Sequence, residues 1–275
     1  MKVLKEYLVT VYNKDKVRLG AYTLYGESYN EVREKVLSRS NDDEMLFIVI
    51  HQAYELWFKQ MLHEIAELQK QLERGDTHRS LAILGRVRTI MKTCVGQLDI
   101  LETMTPLEFQ SFRARLEASS GFQSDQFRQL EFLLGKKTPQ AIERFASDTR
   151  ARAALERRFA ALTLWDAFLR YLARQGYVIP SEQLTRDVTQ PVTPSEPLQD
   201  TLIDLYRRDP KHAEMCERLV DLDEGLKEWR YRHVKMVQRT IGAKAGTGGS
   251  SGAQYLATTL MTPLFPDLWE IRSRL

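Results

Sequence analysis

The feature that most constrains this chain is a series of apolar residues recurring at steps of three and four: Leu219, Leu222, Leu226 and Trp229. That spacing keeps one face of an α-helix apolar, and it predicts a single long helix from about Lys211 to Ile241. His233 takes the next place in the series and Met236 the one after, so an imidazole stands where a core hydrophobe belongs. Two readings of it are open. A core histidine hydrogen-bonded to a neighbour is the more ordinary one. The rarer is an axial ligand of a haem iron, a role that suits an imidazole held rigidly by a helix.

A second histidine has the same kind of setting. Ser40-Asn41-Asp42-Asp43-Glu44 supplies cap-type side chains and acids at a helix start, opening a helix from about Glu44 to Glu73. Phe47, His51, Phe58 and Leu62 share one of its faces, with Ile50, Tyr54 and Trp57 beside them, and Gly75-Asp76 closes it. Alone, His51 reads as a satisfied core residue. Paired with His233, it makes a functional reading competitive.

Helical spacing recurs along the chain. It predicts helices over Ser80–Leu101, Thr105–Leu116 (proline at the first helical position), Gln126–Leu134, Ala141–Phe145, Ala151–Arg174 and Leu198–Arg207, then Ala253–Leu260 and a last turn from Pro266. Between Gly176 and Asp200, Pro180, Pro191, Pro194 and Pro197 forbid a continuous helix and mark a packed loop. Lys2–Val17 alternates (Val3, Tyr7, Val9, Val11) and is open to strand, helix or an arm reaching another subunit. The fold class expected is all-α. Residues 1–40 form an N-terminal arm and short helix, and 41–275 form the helical domain.

Several function classes drop out. Net charge is only +3, with acids and bases interleaved and no basic run carrying aromatics, so no nucleic-acid partner is expected. No apolar stretch approaches the roughly 18 residues of a membrane helix. The charged start, Met1 to Tyr7, lacks an apolar signal core, and the setting expected is cytoplasmic. Cys94 and Cys216 form neither CxxC nor CxxCH, which excludes the usual zinc-ribbon and covalent c-type haem motifs.

Two more segments have chemistry to offer. Arg113 lies one turn from Phe109, and a guanidinium can clamp a carboxylate through two parallel hydrogen bonds; a solvated ion pair is the ordinary alternative. Gly246-Thr247-Gly248-Gly249-Ser250-Ser251-Gly252 lacks the GK[ST] ending of a phosphate-binding loop. It reads either as a flexible linker or as a loop with glycine hinges that closes over a ligand. His63, His78 and His212 show no comparable setting.

Together these residues resemble the tryptophan 2,3-dioxygenase family. Five segments carry the resemblance in order: Phe47-Ile48-Val49-Ile50-His51-Gln52-Ala53-Tyr54-Glu55-Leu56-Trp57-Phe58-Lys59-Gln60, Leu101-Glu102-Thr103-Met104-Thr105-Pro106, Phe112-Arg113 with Ser119 to Ser124, Arg230-Tyr231-Arg232-His233, and Gly246 to Gly252. The resemblance implies an all-helical bundle enclosing haem b, usually a homotetramer whose N-terminal residues reach a neighbour's active site. It implies His233 as the proximal iron ligand and His51 as the distal histidine that hydrogen-bonds the indole N–H. Phe47 and Phe109 would wall the indole, Arg113 would pair with the substrate carboxylate, and Thr247 would hold the amino-acid end. Ser120 and Gly121 would line the haem pocket. The activity implied is O2-dependent opening of the indole ring of L-tryptophan to N-formylkynurenine.

Two places depart from the family's pattern. Its usual Tyr-Gly-x-Tyr-Leu-x-Leu-Asp stretch is here Tyr25-Gly26-Glu27-Ser28-Tyr29-Asn30-Glu31, and Ala243-Lys244-Ala245 precedes the Gly/Ser segment where bulkier or basic residues are common. They motivate an alternative expectation: insertion of one oxygen atom into tryptophan or a substituted tryptophan, giving an oxindole or hydroxyindoline.

Overall fold

The computed structural model describes residues 42–116, 123–244, 257 and 260–275. Every regular element among them is helical. The expected arm over 1–40 and the Gly246–Gly252 segment lie outside the described residues.

Three long helices build the core: α1 (Asp42–Arg74), α2 (Thr77–Leu101) and, late in the chain, α10 (Pro210–Ile241). The turn between α1 and α2 is set locally. Gly75 adopts φ +77°, and the N–H groups of Gly75 and Asp76 bond back to Leu72 O and Gln71 O. Only glycine takes that backbone without strain. The Asp76 carboxylate then accepts the Arg79 N–H at 2.9 Å, capping α2 three residues earlier than spacing alone predicts.

The resulting hairpin is antiparallel, with Arg86 donating to Glu64 (2.8 Å) near the turn and the Tyr54 hydroxyl to Cys94 O (2.8 Å) further out. Helix α10 lies along α2 in the same direction, Arg88 facing Asp221 and Arg232 facing Asp99. It therefore runs opposite to α1. Ile65, Leu68 and Leu72 of α1, Leu84, Val87 and Cys94 of α2, and Leu219, Leu222 and Leu226 of α10 are buried in one core. Each such aliphatic side chain contributes about 1.5–3 kcal/mol of transfer free energy.

The smaller helices close around this frame: α3 (Pro106–Arg113) with a 3-10 turn to Leu116, α4 (Asp125–Leu133), α5 (Pro139–Glu143), α6 (Arg150–Ala160), α7 (Leu164–Arg174), α8 (Ser181–Leu184), α9 (Glu196–Arg208) and α11 (Pro266–Glu270). The single helix expected over Ala151–Arg174 is instead two. Lys137 Nζ donates to the carbonyls of Phe159 and Ala161, stopping α6. Ala161 turns extended, and Thr163 with Asp166 forms a reciprocal capping box that starts α7. Within the proline-rich loop, α8 is a short helix the sequence did not announce. At its far side, Arg186 pairs with buried Asp166.

The C-terminal segment returns to α10. Buried Asp223 accepts the N–H groups of Leu264 (2.8 Å) and Phe265 (3.3 Å) and the Trp269 indole N–H (2.8 Å). No helix among the described residues is long and apolar enough to cross a membrane.

Candidate active site

Because α1 and α10 run in opposite directions, their histidines meet near one end of the bundle. The two are near enough that a proton on His51 would disfavour one on His233. Both imidazoles are largely enclosed by protein while keeping some accessible surface.

The two rings are held differently. His51 Nδ1 lies 2.7 Å from the carbonyl of Phe47, one turn back. A carbonyl only accepts, so Nδ1 carries the proton and Nε2 keeps a bare lone pair. Burial lowers the His51 pKa against the opposing pull of that hydrogen bond, and the ring stays neutral. His233 has no hydrogen bond among the described residues; its place is set by packing. Its ring lies on the indole of Trp229, centroids 5.3 Å apart and planes 19° off parallel. Burial first, then the charges of His51 and Arg230, bring its pKa down to about 4. A neutral imidazole is the ligating form.

Aromatic rings surround the pair. Phe47 stands 5.8 Å from Phe109 and 5.5 Å from Phe112, and those two meet edge-on at 5.3 Å. Behind His233, Trp229 packs against Tyr54, Phe58 and Phe127. Arg113 ends α3, two turns of chain beyond the Thr105 capping box that starts it. Phe47, His51, Phe109, Arg113 and His233 are thus carried by three helices that touch, α1, α3 and α10. Ser120, Gly121 and Thr247 lie outside the described residues.

Sequence reading missed Phe112 and Trp229 as parts of this site. Trp229 is four residues before His233, so the spacing that placed the histidine also carried the indole above it. His212 was passed over too. It is buried, with Nε2 2.8 Å from the Tyr171 hydroxyl and Nδ1 2.6 Å from Asp209, and it ties the start of α10 to α7. Cys94 and Cys216 are buried core residues, and burial pushes the Cys94 thiol up to about 12.

The donor set discriminates among metal centres. Among the described residues no three His, Cys, Asp or Glu side chains come together to hold a bare ion. A single neutral imidazole among aromatic side chains would suit an iron whose remaining ligands come from a porphyrin. The residues present fit haem.

Fold and site define an all-helical protein, among its described residues, whose two antiparallel helices carry His51 and His233 among aromatic side chains. A family model for tryptophan 2,3-dioxygenase matches residues 27–158 and 182–275. A protein named tryptophan 2,3-dioxygenase from Herpetosiphon aurantiacus is 57% identical over 233 residues, covering 85% of this chain and 89% of its own. One of the same name from Anaeromyxobacter sp. (strain K) is 55% identical over 234 residues, 85% and 88% of the two chains. A third, from Bacillus thuringiensis, is 37% identical across 100% of this chain and 98% of its own. The chain belongs to the tryptophan 2,3-dioxygenase family. With relatives at this identity named dioxygenases, the single-oxygen alternative is not favoured.

Proposed function

We propose that this protein opens the indole ring of L-tryptophan with O2, giving N-formylkynurenine, with haem b held by His233. The observation that carries the reading is the bare Nε2 of His51, a hydrogen-bond acceptor beside the Phe47 ring, which in turn meets Phe109 and Phe112. An indole ring offers one N–H donor and two flat faces, and this arrangement meets both.

When bound, the haem supplies a reduced iron that activates O2 for addition at the indole C2–C3 bond. The protein's own groups do the positioning. His51 Nε2 accepts the indole N–H and sets the ring's rotation. Phe47 and Phe109 fix its plane and exclude water, and the Arg113 guanidinium takes the carboxylate. His51 acts as an orienting acceptor rather than a base, because indole N–H is a very weak acid and burial lowers the basicity of the imidazole. Trp229 holds the His233 ring in one orientation. Thr247 at the substrate's amino-acid end, Ser120 and Gly121 at the haem, the arm of residues 1–40 reaching a neighbouring subunit, a homotetramer and a cytoplasmic setting belong to the same reading, supported by the family resemblance.

The test is product mass after reduced, haem-loaded protein with L-tryptophan meets 18O-labelled O2. Two labelled atoms in a ring-opened product are expected. One labelled atom in an intact bicyclic product would overturn the dioxygenase assignment.

A further inference from the structure

Glu102 stands at the joint between the helix that carries His233 and the helix that carries Arg113. It is the C-terminal cap of α2. Its Oε2 accepts from two guanidiniums of α10, Arg232 Nη2 at 3.2 Å and Arg239 Nη1 at 3.1 Å. Arg232 immediately precedes His233 and pairs also with Asp99 at 2.5 Å; Arg239 is two turns further on. The Glu102 side chain is only 14% exposed. A carboxylate enclosed between two cations of one helix belongs to a network, the setting in which ion pairs outdo lone surface pairs.

Three residues beyond Glu102, Thr105 starts α3. The Thr105 N–H donates to Glu108 Oε2 (2.6 Å) and the Glu108 N–H to Thr105 Oγ1 (3.3 Å). Helix α3 then carries Phe109 and Arg113. A cleft of about 220 Å³ opens beside the joint, bounded by Glu102, Met104, Thr105, Arg239 and Thr240 among others. Leu101 and Met104 on either side of Glu102 are buried in the core, and beside that packing the charge on Glu102 adds a tie from the start of this connection to α10.

We propose that Glu102 is a positioning residue: through Arg232 and Arg239 it fixes α3, and with it the Arg113 clamp, relative to the helix bearing His233. The inference rests on the functional reading above. Displacements of about 1 Å far from the chemistry can lower rates by about a hundred-fold, so a modest shift of α3 is readable.

The experiment uses the haem-loaded protein and measures calorimetric Kd values for L-tryptophan and for tryptamine, which lacks the carboxylate, with the Soret band as a check on the haem site. In Glu102→Gln the Soret maximum stays in place and tryptophan affinity falls about ten-fold, within the ordinary range of coupling between sites, while tryptamine changes by about two-fold at most. Arg239→Gln shows a smaller loss in the same direction and adds nothing to Glu102→Gln, the mark of a shared interaction. A tryptophan-to-tryptamine ratio unchanged from wild type in Glu102→Gln overturns the proposal, whether both affinities hold or both fall. If Glu102→Gln does not fold, the same ratio in Arg239→Gln decides. Wild-type protein that takes up haem but binds no tryptophan sinks the functional reading itself, and this proposal with it.

Discussion

The indole of Trp229 lies nearly parallel to the imidazole of His233, 5.3 Å away, and is itself wedged among Tyr54, Phe58 and Phe127. The histidine is oriented by the stacked Trp229 ring of its own helix, which rings of α1 and α4 hold edge-on or tilted, with no hydrogen-bonded partner among the described residues. That arrangement makes the ring's direction a property of packing.

Replacing His233 with Ala should abolish stable haem uptake, read as loss of the Soret band after reconstitution. Replacing Trp229 with Leu should keep uptake but speed haem loss about three- to ten-fold, since an aromatic pair is worth about 0.5–1.5 kcal/mol beyond its buried area. Transfer to an excess haem acceptor measures that rate. A normal haem spectrum in His233→Ala refutes the ligand assignment.

The His51 acceptor is tested by deleting the hydrogen it accepts. 1-Methyltryptophan should bind wild-type protein about three- to ten-fold more weakly than tryptophan, the range of one net hydrogen bond. In His51→Ala that preference should vanish, with haem binding retained. A preference that persists without the imidazole would mean the indole N–H is read elsewhere.

Away from the site, Asp166 is a strong stability determinant. It is buried, completes the Thr163 capping box and pairs with Arg186 through both oxygens at 2.6 and 3.0 Å. Asp166→Asn leaves the Arg186 guanidinium without its countercharge and should lower stability by about 3 kcal/mol, toward the lower end for a broken buried pair. Urea unfolding checks it; a loss below about 1 kcal/mol, the range of an exposed pair, would contradict this view of the α6–α7 break.

Asp209 gives a pH signature. Burial pushes its carboxyl up, but hydrogen bonds from His212 and Tyr177 outweigh this and bring it down to about 2, from 3.8 in an unconstrained chain. A depressed carboxyl pKa stabilises the fold above the unfolded value, and the contribution is lost as pH falls from about 4 to about 2. Unfolding free energies of wild type and Asp209→Asn should therefore converge across that window. Parallel curves would count against the assignment.

The long helices were legible in the sequence because their apolar spacing is unbroken, and both site histidines stood out as polar residues inside that spacing. Legibility failed where long-range contacts decide. Nothing local to Phe159 or Ala161 announces that Lys137 will occupy their carbonyls, so the break between α6 and α7 was invisible. His212 looked unremarkable because Tyr171, which buries and bonds it, lies 41 residues away. Of the candidate site, His51 and His233 were legible from spacing, and the roles proposed for Phe47 and Phe109 came from the family resemblance. The packing of Trp229 against Tyr54, Phe58 and Phe127 and the Glu102 joint were not, since each depends on how α10 lies against other helices.

The opposed run of α1 and α10 also bears on the order of synthesis. One imidazole leaves the ribosome with the first long helix, and the α1–α2 hairpin can form from neighbours in sequence as soon as it emerges. Its counterpart arrives only with α10, after every intervening helix has been made. The side of the site that α10 provides is absent until then, and the nascent hairpin must shelter its aromatic face in the meantime.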